Sequence, residues 1–112
     1  MSLSGDERTE IRKEFRRAVN MSPTELDDWL ATEESKSVGD SDGDSESTGH
    51  ASGRRIVEIK RKTVDELSDA DHEHMRKVSG YVRRHLAQRP DGDVSDTPWR
   101  YSLMNWGHDP LR

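Results

Sequence analysis

The chain has 112 residues, of which 29% are hydrophobic and 37% are charged. A chain of this length buries a limited share of its surface, so we expect a single small domain over residues 1–112, and a multi-domain enzyme is excluded. Cysteine is absent, which excludes a disulfide scaffold, a thiolate zinc finger and a cysteine nucleophile. We expect a cytoplasmic protein, because the sequence holds neither a membrane-spanning apolar run nor a signal peptide.

The net charge of −5 is an average over unlike segments. Residues 1–53 hold 6 basic and 13 acidic side chains and sum to −7; residues 54–89 hold 10 and 6 and sum to +4; residues 90–112 hold 2 and 4 and sum to −2. A basic stretch kept apart from an acidic one indicates a polyanion partner.

Two short amphipathic helices are predicted for residues 6–32. Ile11, Phe15 and Val19 recur at helical spacing and form one apolar stripe. Ser22-Pro23-Thr24-Glu25 then predicts a helix start with a capping box. Since short helices are marginal alone, we expect a helical hairpin in which the two apolar faces bury each other.

Residues 33–53 are dominated by Ser, Gly, Asp and Glu, and are predicted to form a flexible acidic loop. The alternating aspartates of Asp40–Asp44 are similar to a calcium loop, but the sixth and twelfth positions are Ser45 and Ala51 instead of Gly and Glu. We therefore predict no metal site here. Cradling of a phosphate by the Ser/Gly pieces is an alternative that requires an ordered loop.

Residues 54–112 are predicted to hold basic helices and a Trp-rich C-terminal helix. The first basic helix carries five cations and one acid between Arg54 and Lys62, and its last cations also complement the helix dipole. The second begins at Ser68 and ends near Ala87, before Pro90. Four residues mark its core face: Met75, Val78, Val82 and Leu86.

On a helical wheel, the second basic helix has a cationic flank. Four cations fall within an arc of about 120°: Arg76, Lys77, Arg83 and Arg84. Gly80 lies in the middle of this arc, and because an internal glycine costs about 1 kcal/mol, we expect it to serve the close approach of a phosphate or another helix. The alternative is a solvated face in which the arginines pair with the acids of residues 65–73.

The opposite flank carries His74, Tyr81 and His85. The two histidines are three turns apart, about 16 Å, and cannot share one metal ion. Without a metal site or a nucleophile paired with a base, the sequence predicts neither an enzyme nor a cofactor.

The C-terminal segment holds a short helix bounded by Thr97 and Gly107. Trp99, Leu103 and Trp106 form a stripe along it, which favours packing into the core. The alternative is an aromatic platform on which nucleic-acid bases stack. Together these elements predict an all-α fold, a small bundle of about five short helices with an acidic Ser/Gly/Asp-rich loop after the second helix.

Long blocks of this sequence resemble an uncharacterised family, domain of unknown function 3140, from about residue 10 to the C-terminus. The blocks are Met21–Leu26, Trp29-Leu30, Glu34–Gly39, Ser52–Ile59, His74–Val78, Gly80–Pro90 and Trp99–Pro110. Some members of that family carry a DNA-binding label, so the resemblance implies DNA binding and supplies no catalytic residues. Lys60 departs from the pattern, which tends to be apolar there.

We therefore predict a small non-enzymatic DNA-binding protein, nucleoid-associated or accessory. The alternative is a protein-interaction module or adaptor that uses the same face to bind an acidic partner or a second copy of the chain. The residues predicted to contact nucleic acid are Arg54, Arg55, Lys60, Arg61, Lys62, Arg76, Lys77, Gly80, Arg83 and Arg84.

Overall fold

The computed structural model describes residues 3–38 and 48–112, and the regular secondary structure in this part of the chain is all helical, as predicted. The elements are α1 (Gly5–Ala18), α2 (Pro23–Leu30), α3 (Glu33–Ser37), α4 (Thr48–Lys60), a 3₁₀ turn (Val64–Glu66), α5 (Asp69–Leu86) and α6 (Pro98–Asn105).

The predicted helix starts are confirmed by their caps. Ser22 and Ser68 each accept a hydrogen bond from the backbone N–H three residues on. The carboxylates of Glu25 and Asp71 accept a bond from the cap residue's own N–H in return, so both capping boxes are complete. Thr97 caps α6 in the same way through its hydroxyl. These local bonds fix where α2, α5 and α6 begin.

The helices pack in pairs that sequence periodicity does not reveal. α1 packs along α5, and α2 packs along α4. Arg8 pairs with Asp69 near the start of α1 and α5, while Arg17 and Arg83 line one groove near their ends, so these two helices run parallel. The predicted mutual burial of α1 and α2 is wrong, because each packs instead on a longer helix downstream, of 18 residues in α5 and 13 in α4.

The core is one cluster of buried apolar side chains from all the helices except α3. Met75, Val78 and Val82 of α5 are buried in it, as predicted. Leu86 is not, since 37% of its surface is exposed. α1 ends at Ala18, so the last turn of α5 lies at the open end of the groove between the two helices.

The predicted loop over residues 33–53 is helical at both described ends, where it contributes α3 and the first turns of α4. Ser35 is fully buried and donates to Asn105 Oδ1 at 2.5 Å, while the Asn105 amide donates to the Ser35 carbonyl at 3.0 Å. These bonds hold α3 against α6, so a flexible loop is the wrong description of the ends. The aspartates of the calcium-like pattern lie in residues 39–47, outside the described residues.

Gly53 sets how closely α4 approaches its neighbours. A Cβ atom at this position would lie 2.5 Å from the Asn105 carbonyl oxygen and 2.8 Å from Leu30 Cδ2. Both distances are shorter than side chains tolerate, so only glycine fits where α4 meets α2 and α6.

Candidate nucleic-acid interface

The predicted cationic flank of α5 lies on the surface. Its four cations are all exposed: Arg76, Lys77, Arg83 and Arg84. Arg76 is paired with Glu7 of α1 at 3.8 Å and with Glu73 of its own helix at 3.6 Å. The other three have no ion-pair partner among residues 3–38 and 48–112. Three positive charges on this flank are therefore available to a ligand.

Gly80, predicted to allow close approach of a phosphate or a helix, is instead covered by a side chain of its own helix. The three atoms nearest to a Cβ built at Gly80 all belong to the Arg84 guanidinium, the closest being Nη1 at 2.9 Å. The absence of a side chain at Gly80 thus leaves room for Arg84 to lie back along α5. Gly80 positions a cation and is not the crossing point of another helix.

The cations of α4 and of the turn after it have different surroundings. Asp71 is buried and pairs with Lys62 at 2.9 Å and with Arg55 at 3.6 Å. Arg54 and Arg61 are exposed. Lys60 is partly buried without an ion-pair partner in the described ranges, and burial lowers its pKa. The acids of residues 65–73 therefore neutralise part of the predicted surface, as the alternative expects.

The hydrogen bonds around Asp71 keep its carboxylate ionised. Burial by itself raises the pKa of Asp71, but the hydrogen bonds from the Lys62 ammonium and from the Ser68 backbone N–H outweigh it, and the pKa falls to about 2. The carboxylate is ionised at neutral pH and holds Lys62 against the start of α5.

Two cations of α1 lie beside those of the central helices, and the sequence analysis did not predict this association. Arg12 and Arg16 line one cavity together with Lys60 and Lys62. Arg12 donates to His72 Nε2 at 3.1 Å, and His72 Nδ1 donates to the Ser68 carbonyl at 2.8 Å, so the buried histidine orients the guanidinium. The run of four cations and one acid from Arg12 to Arg17 was the available signal, but the sum of −7 over residues 1–53 concealed it.

Four aromatic rings stack where α5 meets α6, two of them buried and two partly buried. Tyr81 lies on Trp106 with ring centroids 4.1 Å apart, and His85 follows Tyr81 at 5.1 Å and faces Trp99 at 6.2 Å. Trp99 and Trp106 are only 8% and 5% exposed. The core interpretation of the tryptophan stripe is therefore confirmed, and these rings are not exposed as a platform for bases.

His74 also contacts a hydroxyl group that its sequence position does not suggest. The Ser52 Oγ lies 3.0 Å from His74 Nε2. Ser52 is 4% exposed, and burial followed by the charge of Arg55 lowers the pKa of His74. We interpret this pair as a tie between α4 and α5, since the hydroxyl does not face solvent.

No group of three or more His, Asp or Glu side chains is placed to hold a metal ion within residues 3–38 and 48–112. In the same ranges no helix is both long and apolar enough to cross a membrane.

Comparison with protein families gives one match. The model of a family described as "Protein of unknown function (DUF3140)" matches residues 14–104, which include all six helices in whole or in part. Searches of curated proteins and of solved structures gave no match.

Proposed function

The chain belongs to the DUF3140 family, whose function is unknown, and we propose that it is a non-enzymatic DNA-binding protein that contacts the phosphate backbone through the cationic flank of α5. The observation that carries this proposal is the composition of that flank. From Arg76 to Ala87 its arc holds four cations and Gly80, without a carboxylate and without a large apolar side chain. Two acids share the arc nearer the start of α5, where Asp69 pairs with Arg8 and Glu73 with Arg76.

This composition favours phosphates over a protein surface. Protein interfaces depend on buried aromatic and aliphatic anchors at their centre. The exposed large apolar side chains of the described residues are Val64, Leu86 and Leu111, and none of them lies in the cationic arc. A cationic surface without an apolar anchor suits a polyanion, and backbone contacts of this kind carry no sequence information.

The spacing of the cations is also compatible with a duplex. Two adjacent cations, Arg76 and Lys77, are followed seven residues later by two more, Arg83 and Arg84. Seven residues of helix span about 10 Å, which is close to three steps of about 3.4 Å along a DNA strand.

A fluorescence anisotropy titration of a labelled DNA duplex tests this proposal. We expect the wild type to bind at low salt and a triple variant, Lys77→Gln with Arg83→Gln and Arg84→Gln, to bind about tenfold to a hundredfold more weakly, at about 0.5–1 kcal/mol for each exposed contact. Lys36→Gln is the matched control, because Lys36 is an exposed cation on α3, which packs on α6 and α2. No binding by the wild type, or equal weakening in the control, would show that the proposal is wrong.

The second candidate is a protein-interaction module, and one observation favours it. A groove of about 400 Å³ between α1 and α5 holds the exposed Leu86 beside Arg17 and Arg83. An acidic partner with an apolar anchor, or a second copy of the chain, would suit this groove. Light scattering coupled to size-exclusion chromatography at several salt concentrations tests self-association, and a monomer at every concentration rules that form out.

A further inference from the structure

A second cavity, distinct from the cationic flank of α5, lies between α1, the end of α4 and the 3₁₀ turn. Its volume is about 250 Å³. The lining combines two kinds of side chain. Four are cations (Arg12, Arg16, Lys60 and Lys62), and the others are apolar, with no carboxylate among them.

Two of the four cations are held in place by side chains, and within residues 3–38 and 48–112 only Lys62 pairs with a carboxylate. Arg12 is fixed by His72, and Lys62 by Asp71. Arg16 donates only to the Arg12 carbonyl, at 3.3 Å, and Lys60 has no partner among the described residues. Burial disfavours the charged ammonium of Lys60 and lowers its pKa. An anion in the cavity would relieve this cost and would pair with two cations that no carboxylate of the described residues neutralises.

The apolar side of the cavity provides a floor and a rim. Phe15, Ile59 and Met75 form a buried floor that belongs to the core. Val64 stands at the cavity on the 3₁₀ turn with 58% of its surface exposed. An apolar chain lying between the floor and Val64 would remove the exposed surface of Val64 and its own surface from water, which stabilises binding by about 25 cal/mol for each Å².

We propose that this cavity binds a small organic anion with a short apolar chain, such as a medium-chain carboxylate, with the carboxylate between Lys60 and Arg16 and the chain on Phe15 and Val64. The volume lies just below the range of about 300–1,000 Å³ found for drug-sized ligands, so the ligand is small. A DNA phosphate does not meet this description because it has no apolar chain for the floor. The inference therefore goes beyond the proposed DNA binding and does not depend on it.

Sodium octanoate is a suitable probe, with octan-1-ol as the neutral ligand of equal chain length. In ¹H–¹⁵N correlation spectra of the full chain, we expect octanoate to cause saturable shifts of the amides of Phe15, Ile59 and Val64. Octan-1-ol is expected to bind at least about tenfold more weakly, since a charge-assisted hydrogen bond contributes about 1.5–3 kcal/mol. Equal binding of the two probes, or no saturable shift with octanoate, would overturn the proposal.

Substitutions distinguish binding of octanoate in the cavity from nonspecific attraction of an anion to basic side chains. Lys60→Met keeps most of the unbranched side chain and removes its charge, and we expect it to weaken octanoate binding about tenfold. Arg16→Met, on the exposed side of α1, tests the second cation independently. Lys36→Met on α3 is the control and should leave the affinity unchanged. Equal affinity of Lys60→Met, Arg16→Met and the wild type would contradict the proposed site.

A final experiment, vesicle sedimentation, distinguishes a free ligand from a membrane lipid of the same chemistry. We expect octanoate to bind and phosphatidylglycerol vesicles not to sediment the protein. Sedimentation with vesicles in the absence of octanoate shifts would overturn the assignment to a free ligand. Octanoate binding is measured in the absence of DNA. A failure to bind duplex therefore does not contradict the proposed cavity, and a failure to bind octanoate does not contradict the proposed DNA binding.

Discussion

Replacement of Asp71 by asparagine removes the carboxylate that holds Lys62 and Arg55, two of the cations predicted from the sequence to contact nucleic acid. Its pKa falls from an ordinary value of 3.8 to about 2 in the folded protein. At about 1.4 kcal/mol for each pH unit, the ionised carboxylate contributes about 2 kcal/mol to stability at neutral pH. We expect Asp71→Asn to lower the free energy of unfolding in urea by about this amount at pH 7.

The pH dependence of this loss provides an internal check. A carboxylate whose pKa is lowered by folding stabilises the protein above its unfolded pKa, and this stabilisation is lost as the pH falls through the folded value. The difference between wild type and Asp71→Asn should therefore shrink from about pH 4 downwards. Asp91→Asn, at an exposed loop position, is the control and should change stability by less than about 0.5 kcal/mol. A full-sized difference that persists at pH 3, or none at pH 7, would refute the reasoning.

The same substitution is expected to increase the affinity for DNA although it lowers the stability of the protein. Removal of the buried anion frees Lys62 and Arg55 to contact phosphates and raises the net charge by one. We expect Asp71→Asn to bind a duplex more tightly than the wild type at a temperature where both are folded, by anisotropy at low salt. Equal or weaker binding by the folded variant would show that freeing Lys62 and Arg55 adds no contact to the duplex.

Three further predictions concern the scaffold. Gly53→Ala should destabilise the protein by about 1–3 kcal/mol through overpacking, whereas Gly5→Ala, where a Cβ meets nothing within 4 Å, should not destabilise it in the same urea titration. Asn105→Ala deprives two donors of their acceptor and should lower the free energy of unfolding by about 1–3 kcal/mol for each one that stays buried; a loss below 0.5 kcal/mol, the size of a typical surface substitution, contradicts this. Burial lowers the pKa of His74 and His85, so the folded state binds protons more weakly than the unfolded chain. The urea midpoint should therefore fall as the pH drops below about 6.5, and a constant midpoint between pH 7.5 and 5.5 would show that these histidines are not buried as described.

The sequence predicted those features that depend on neighbouring residues in the chain. Ser22 and Ser68 signal their helix starts because a capping hydroxyl and its returning carboxylate are three residues apart. The core face of α5 was predicted correctly up to Val82, because helical periodicity places side chains on a common stripe. Leu86 has the same helical spacing, but no other helix in the described part of the chain covers it. Periodicity alone does not predict whether a stripe is covered along its whole length.

Features that depend on residues far apart in the chain were missed. The bonds between Ser35 and Asn105 join positions 70 residues apart, and they turn a polar segment with few apolar residues into a docked helix. In the same way, the cations at Arg12 and Arg16 belong to the basic region only because α1 packs on α5. A net charge summed over a segment of sequence does not reveal such clusters, because it ignores which side chains are close together in the folded structure.

The candidate site was predicted in part. The cationic flank of α5 follows from helical spacing alone, and the structure places it on the surface. The neutralisation of Lys62 by Asp71 and of Arg76 by Glu7 depends on the packing of side chains from different elements, which helical spacing does not specify.

The salt dependence of duplex binding tests the proposed function most directly. For contacts to phosphates, the logarithm of the binding constant falls linearly with the logarithm of the salt concentration, with a slope of about −0.9 for each phosphate neutralised. Our account predicts that the variant lacking the charges of Lys77, Arg83 and Arg84 has a slope smaller in magnitude by about 2.7 than that of the wild type. A wild type without salt-dependent binding, or equal slopes for the two proteins, would contradict it.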